Sequence, residues 1–283
     1  MNPNITPDAD SRGYLLDNFR LFHLKESRAQ RFDYHYHEFD KVVVFLSGQV
    51  TYTVEGRAYF LSPGDLLLVP HHHIHQPDIG GATYERFILW LDPGFLEQNG
   101  LSPCFDQVRE TGFHLIRAGE LLSGRLLSLL RQLESAANDT EFGHKLLAET
   151  YCLQFLIALN RGNQANLALS DGQTFRSDPK IEEILGYINA NLPADLSVQS
   201  LADRFYLSPS WLMHRFKEVT GCTLHQYVLQ KRLIQAAALI RSGLPVMEAS
   251  LKSGFSDYST FLRAFRNAYK CSPKELRNRS STL

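Results

Sequence analysis

The segment "PHHHIHQP", Pro70 to Pro77, places four histidines, His71, His72, His73 and His75, within five positions. Neutral imidazole is the commonest protein ligand for zinc, copper and iron, and its unperturbed pKa lies near working pH. Three readings are open for such a run: ligation of a metal, contact with a bound small molecule, and plain surface placement. The run continues a strand-like stretch, "GDLLLVP", well inside the chain, so it reads as a natural segment and not as an added tag. Other chemistries lack motif support. The chain has no G-x-S-x-G elbow, no G-x-G-x-x-G fingerprint and no G-x4-G-K-[ST] loop. Cys104, Cys152, Cys222 and Cys271 stand far apart, with no C-x-x-C pair, and are expected to be reduced thiols.

The histidine run sits in a region of period-2 texture. Between Phe32 and Leu91 the runs "KVVVFLSG", "QVTYTVEG", "RAYFLSPGD", "LLLVP" and "YERFILWL" end in S-G, E-G and P-G-D, which predicts antiparallel strands joined by tight turns. From about Gly119 the period changes. Leu122, Leu126, Leu129, Leu130 and Leu133 predict one amphipathic helix, and Phe142, Leu146, Tyr151, Phe155 and Leu159 a second. Most of these side chains are expected to be core, with any leftover apolar surface suited to a dimer interface. The aperiodic stretch 161–177, rich in Gly, Asn, Ser and Asp, is read as a linker.

A length of 283 residues, 44% hydrophobic and 21% charged, suits two globular domains. The opening "MNPNITPDADSRG" has neither a basic nor an apolar signal region, and no run approaches a membrane span, so a cytoplasmic protein is expected. The net charge of −1 hides an asymmetry: from Asp178 onward there are 14 Lys and Arg against 9 Asp and Glu. From Leu207 the contrast sharpens to 12 against 4, the excess expected of a segment that meets nucleic acid.

That basic half is helical throughout, with Asp178 an expected N-cap, Pro179 at the first helical position, and a capping box at Ser272 and Glu275. "SVQSLADRF", "YLS" and "PSWLMHRFKEVTG" form a helix-turn-helix pattern. After a longer helix, "LHQYVLQKRLIQAAALIRSG", the scheme recurs in "LPVMEASLKSG", "FSD" and "YSTFLRAFRNAYKCSP". Leu212 and Phe216 match Phe261 and Phe265, two i, i+4 apolar pairs that dock inward, while Arg215, Lys217, Arg263 and Arg266 are left to face phosphates or base edges. Two such helices on one connecting helix suit successive major grooves about 34 Å apart.

Residues of about 178–280 resemble the DNA-binding domain of the AraC/XylS family of bacterial transcription regulators. The resemblance rests on "LADRFYLSPSWLMHRFKEVTG", "KRLIQAAALIRSG" and "GFSDYSTFLRAFRNAYKCSPKELR". It implies that Ser210, Trp211 and His214 meet base edges from the first recognition helix, and Asp257, Tyr258, Ser259, Thr260 and Arg263 from the second. Arg215 and Arg266 are implied backbone contacts. The amino-terminal half resembles the cupin-type sensing domain of the same family. The cupin motif H-x-H-x3-E-x6-G is met by His35, His37 and Gly48, with Lys41 where the glutamate would stand, and G-x5-P-x4-H by Gly64, Pro70 and His75. This implies that His35, His37 and His75 converge. They are a candidate metal set, opposed by the Lys41 ammonium, which instead suits an anionic or hydroxylated ligand. His73 and Trp90 join the candidate ligand contacts.

The expected architecture is therefore α+β with two domains. Residues 1–160 form a cupin-like β-barrel, at about 20–95, with a helical hairpin at 119–160; 161–177 is a linker; and 178–283 is an all-α domain with two helix-turn-helix subdomains. The expected function is a ligand-responsive, sequence-specific transcription regulator, not an enzyme, with no cofactor. Its expected partners are double-stranded promoter DNA, a small-molecule effector and a second copy of the chain through the hairpin, with RNA polymerase a further candidate. The competing reading is a cupin metalloenzyme, an oxygenase or isomerase, with a helical appendage.

Overall fold

A computed structural model of the chain describes residues 15, 17–26, 30–32, 34–166 and 175–280. They form two compact units, divided between Arg176 and Ser177. The first contains strands β1 (Phe19–Glu26), β2 (Gln30–Arg31), β3 (Asp40–Val54), β4 (Arg57–Phe60), β5 (Asp65–Val69), β6 (His75–Leu91), β7 (Leu115–Arg117) and β8 (Phe175–Arg176). Its helices are α1 (Pro93–Gln98), α2 (Pro103–Thr111), α3 (Glu120–Asn138) and α4 (His144–Asn166).

All eight strands join one antiparallel sheet, in the order β1-β6-β3-β4-β8, with β2 on β6 and β5 between β3 and β7. Of the expected turn signals, E-G and P-G-D fall in turns, but S-G does not: β3 runs on through Ser47 and Gly48 as one strand, with bulges where a turn was expected. Glu55 and Gly56, both at positive φ, make the two-residue hairpin between β3 and β4 that right-twisted strands prefer. Opposed residues share a face, so the register Lys41↔Trp90, Val43↔Ile88 and Phe45↔Arg86 sets one face, and Val42, Val44, Phe87 and Leu89 the other. The second face packs under α1 to α4 in a core that includes Phe105, Leu126, Leu130, Leu133, Phe155 and Leu159. The first is covered by the sheet itself, which curls until Val43, Phe45, Tyr52, Tyr59, Leu67 and Tyr84 pack together.

Ring contacts measure that curl. The His37 ring lies 6.0 Å from Trp90 and 5.1 Å from His75, centroid to centroid. Trp90 and His75 stand at opposite ends of β6, about 50 Å apart in a straight strand at ~3.3 Å per residue. Bulges between Phe45 and Ser47 and between Gly48 and Val50 help bend β3 around this interior. Gly48 adopts φ +111, and a Cβ there would lie 1.8 Å from the Thr83 carbonyl oxygen, so no other residue fits the bend.

Three expectations need correction. The sheet does not end near residue 95, because β7 and β8 return to pair with β5 and the exposed edge of β4. The linker does not begin at 161, because α4 continues through Asn166: nothing in 161–166 breaks a helix already propagating. Residues 167–174 of the expected linker, and 1–14 of the first domain, lie outside the described residues, as does the Leu122 side chain. Finally, Phe142 precedes α4 and is fully exposed, as Leu146 largely is; the buried face of α4 is Ala148, Cys152, Phe155, Leu156 and Leu159.

The second unit holds seven helices among its described residues: α5 (Pro179–Ala190), α6 (Val198–Arg204), α7 (Pro209–Thr220), α8 (Leu224–Arg241), α9 (Val246–Lys252), α10 (Tyr258–Tyr269) and α11 (Pro273–Ser280). The expected caps at Asp178 and at Ser272 with Glu275 are in place, and Ser208 caps α7. The Asp178 carboxylate accepts from the N–H groups of Lys180 and Ile181, Ser208 accepts from Trp211, and Ser272 and Glu275 cap each other's N–H groups. No helix among the described residues is long and apolar enough to cross a membrane.

Candidate functional site

In the second unit the two apolar pairs set the orientation of everything around them. Leu212 and Phe216 of α7, and Phe261 and Phe265 of α10, are fully buried. The opposite faces are consequently turned outward, with Ser210, His214 and Lys217 exposed on α7 and Ser259, Arg263 and Arg266 exposed on α10. Both sets fall at i, i+4 and i+7, one continuous stripe along each helix. Trp211 and Thr260 are exposed beside them, and Tyr258 is half-buried against the core. Asp257 accepts from the Thr260 N–H at 2.6 Å, so its carboxylate caps α10 at the exposed end of the stripe.

One long helix holds both helix-turn-helix subdomains of this second unit. The first part of α8 packs on the first helix pair, with Tyr227 edge-on to Phe216. Its second part, Leu233, Ala236, Ala237 and Ile240, enters the core around Phe261 and Phe265. At Gly254, φ +88, the chain passes so near the Leu192 carbonyl that a Cβ would lie 2.4 Å from its oxygen; the Arg232 guanidinium donates to the same carbonyl.

Arg215 is the expected contact whose surroundings differ most from its neighbours'. Its Nε donates to Asp178 at 2.6 Å and its Nη1 to Glu218 at 2.8 Å. Burial works to raise the Asp178 carboxyl, but Arg215 and the two cap N–H groups outweigh it and hold the pKa below the usual range. Arg215 thus ties α7 to the start of α5. Sequence reading missed two outward side chains: Met213, half exposed on α7, and Tyr206, almost wholly exposed in the turn before it at φ +56. The burial of Leu212 and Phe216 was the available signal for Met213; nothing local marked Tyr206.

In the first unit the four histidines of the opening run have four different surroundings. Pro70 to His73 form a turn, with the His73 N–H donating to the Pro70 carbonyl and His72 at φ +67. His71 Nδ1 lies 3.0 Å from Asp40, whose carboxylate also accepts from Arg109 of α2. His72 pairs with Glu38 at 3.1 Å. His73 does not join the other candidate ligand contacts: its Nδ1 lies 2.9 Å from Nε2 of His114, whose Nδ1 lies 3.0 Å from the Tyr59 hydroxyl.

His75 joins His35 and His37, as the cupin-like spacing implied. One ligand nitrogen from each of the three lies within 4.8 Å of the others, and all three side chains are buried. A backbone bridge pairs His35 with His75, and alternation then sends His37 to the same side. The His75 Nδ1 lies 3.0 Å from the His73 carbonyl oxygen, which accepts only from an Nδ1–H; its Nε2 is then a bare lone pair. Burial, reinforced by Lys41 and His35 for His37 and by His35, Lys41 and His37 for His75, holds both pKa values well below normal. Both imidazoles are neutral at neutral pH. Among the described residues, neither nitrogen of His37, nor Nε2 of His75, nor Nε1 of Trp90 has a hydrogen-bond partner. Each such group costs about 1–3 kcal/mol when left buried without a partner. Lys41, fully buried, lies beside Tyr52 with Nζ 5.9 Å from the ring centroid, and Arg86 is paired through both Nη atoms with Glu26.

Comparison with known proteins divides at the same place. Residues 22–156 match the family described as an AraC-like ligand binding domain, and residues 201–279 match a helix-turn-helix domain family. The transcriptional activator RhaS of Enterobacter sp. strain 638 is 26% identical over 250 residues, 87% of each chain. RhaS of Citrobacter koseri is 24% identical over 265 residues, 89% of this chain and 90% of that one. Among solved structures, ToxT of Vibrio cholerae covers 94% of this chain and 99% of its own at 11% identity, with a TM-score of 0.38.

Proposed function

This chain belongs to the AraC family of transcription regulators, with a ligand-binding domain followed by a helix-turn-helix DNA-binding domain, and from that premise we propose how its parts divide the work. The stripes Ser210, His214, Lys217 and Ser259, Arg263, Arg266 enter two successive major grooves of promoter DNA. Trp211, Tyr258 and Thr260 contact base edges or sugar beside them, and Asp257 orders the start of α10. Lys217 and Arg266 contact the backbone. The observation that carries this reading is the repeat of one exposed i, i+4, i+7 stripe, basic in its later positions, on both helices.

The effector is a small molecule held in the curled sheet against His35, His37, His75, Lys41 and Trp90. The chain acts as a homodimer through α4, where Leu146, Leu147 and Ile157 are exposed. Effector binding alters transcription by favouring one arrangement of the two DNA-binding units, which requires different affinities for the two arrangements. The relatives named as activators support activation as the sign. This reading is favoured over a metalloenzyme with a helical appendage because the helical unit is fully equipped for DNA.

The test is selection of the full chain on a randomised DNA pool at several salt concentrations. The expected result is an enriched site spanning two adjacent major grooves, bound more weakly as salt rises. A folded chain that enriches no sequence would overturn the proposal.

A further inference from the structure

We propose that β8 is a latch that sets the length of the tether carrying the DNA-binding unit: docked on β4 it leaves a single residue of tether, and released it leaves the whole of 167–177. The latch does not depend on what the sensing domain binds. Its trigger, described last, rests on the effector reading given above.

The place of β8 in the chain gives it this leverage. Arg176 is the last residue of the first unit, and the Asp178 carboxylate already caps α5 by accepting from the N–H groups of Lys180 and Ile181. With Phe175 paired to Tyr59 and Arg176 to Ala58, only Ser177 stands between the sheet edge and that cap. Without the pairing, the tether runs from the end of α4 at Asn166 to Asp178. An extended chain of that length spans up to about 40 Å at 3.3–3.6 Å per residue. That exceeds the roughly 34 Å between successive major grooves on one face of DNA, so the latch decides how far the DNA-binding unit can reach. A longer tether also lowers the effective concentration of a second unit at DNA once its partner has bound.

The pairing is one that can open without unfolding the domain. β8 contributes two residues and, among the described residues, pairs with β4 alone. A ladder that short, at a sheet edge, belongs to the least stable parts of a fold. β4 keeps its place when β8 leaves, because its other edge pairs with β3 along all four of its residues. Two of its side chains are also tied inward, Arg57 and Tyr59 both donating to the Gly112 carbonyl at the end of α2.

Tyr59 connects the latch to the interior of the sheet. Its hydroxyl proton goes to Gly112 at 3.1 Å, and its oxygen lies 3.0 Å from His114 Nδ1, so that nitrogen carries the proton of the pair. His114 Nε2 then accepts from His73 Nδ1 at 2.9 Å, and the His73 carbonyl accepts from His75 Nδ1 at 3.0 Å. Tyr59, His114 and His75 are all buried. A molecule that displaces His75 therefore acts along this line on the strand that holds Phe175. β8 is the two-state element at the end of the line, which a coupling between sites requires.

The test uses the full chain with two nitroxides, one on Arg131→Cys in α3 and one on Lys274→Cys in α11, diluted into excess unlabelled chain so that distances within one chain are read. Both positions are exposed and the four native cysteines are buried, so the label goes to the introduced thiols. The parent is expected to give a narrow distance distribution. Phe175→Pro with Arg176→Pro removes both N–H groups of β8 and is expected to broaden the distribution by about twofold or more. Tyr59→Phe keeps the ring without the hydroxyl and is expected to show both the narrow and the broad populations. Variants are compared where their circular dichroism matches the parent. A proline variant as narrow as the parent would overturn the latch. So would a parent already spread over the roughly 40 Å that the free tether allows, a readout that stands even where the variants fail to fold. A Tyr59→Phe chain with the parent's distribution would overturn the link to the interior. No effector enters these measurements, so their failure is distinct from failure of the effector reading.

Discussion

Replacing Arg215 by alanine separates two jobs that a basic residue on a recognition helix could hold. Its Nε bond to Asp178 and Nη1 bond to Glu218 place it as a clamp between α7 and α5. A hydrogen bond between charged groups contributes about 1.5–3 kcal/mol when shielded, and an exposed ion pair about 0.2–1. With the Arg215 side chain 37% exposed and that of Asp178 12%, a loss of about 1–2 kcal/mol is expected. For a unit of roughly 100 residues this lowers the melting temperature by about 5–10 °C. Trp211 is the lone tryptophan of the second unit, so in a Trp90→Phe background its fluorescence follows that unit. The sign with pH follows from Asp178. Its folded pKa is depressed, so the clamp contributes fully above the unfolded value of about 3.9 and is lost as pH falls through the folded one. At 25 °C, where both chains are folded, Arg215→Ala should leave the salt dependence of DNA binding unchanged. Lys217→Ala should leave stability unchanged and reduce the slope of log affinity against log salt by about 1. An Arg215→Ala chain with unchanged melting and a slope reduced by about 1 would refute the clamp argument.

Arg263→Ala should weaken binding to the selected site by about 1–3 kcal/mol and relax preference at one base pair, measured by fluorescence anisotropy on a panel of single-base variants; equal losses across the panel would make it a backbone contact. Gly48→Ala should destabilise the sensing domain by about 3 kcal/mol or more, since a Cβ 1.8 Å from the Thr83 oxygen adds overpacking to a backbone strained at φ +111. A urea midpoint equal to the parent's would contradict that geometry. His37, His75 and His114 are all held neutral by burial, so the unfolded chain binds more protons below its own histidine pKa of about 6.5. Stability of the sensing domain should therefore be full above about pH 6.5 and fall as pH drops toward the lower folded values, a trend that Trp90 melting curves between pH 8 and 5 would record. Leu146→Glu should shift the chain from dimer to monomer in sedimentation without loss of helicity; an unchanged dimer would move the interface elsewhere.

Local periodicity made the helical half legible in the sequence. Leu212 with Phe216 and Phe261 with Phe265 announce buried faces four residues apart, and the caps at Asp178, Ser208 and Ser272 act through hydrogen bonds within one turn of helix. Once those faces are buried, the outward stripes follow from helix geometry alone. The strands between Phe32 and Leu91 were readable in part for the same reason: the turns at Gly56 and Gly64 are signalled by glycine where the backbone needs positive φ, whereas Gly48, with the same signal, marks a bulge inside β3.

What sequence could not contain was any relation carried by contacts between distant segments. Periodicity is silent on β7 and β8, whose two or three residues become strands only because β5 and β4 offer open edges. The resemblance implied that His35, His37 and His75 meet, but the curl that brings both ends of β6 to the His37 ring is a property of the whole sheet. The same holds for the four adjacent histidines. Their spacing made them look like one group, and only the packing of Asp40, Glu38, His114 and His35 around a single turn gave each a separate role. Arg215, indistinguishable in sequence from its basic neighbours, was set apart by Asp178, 37 residues away.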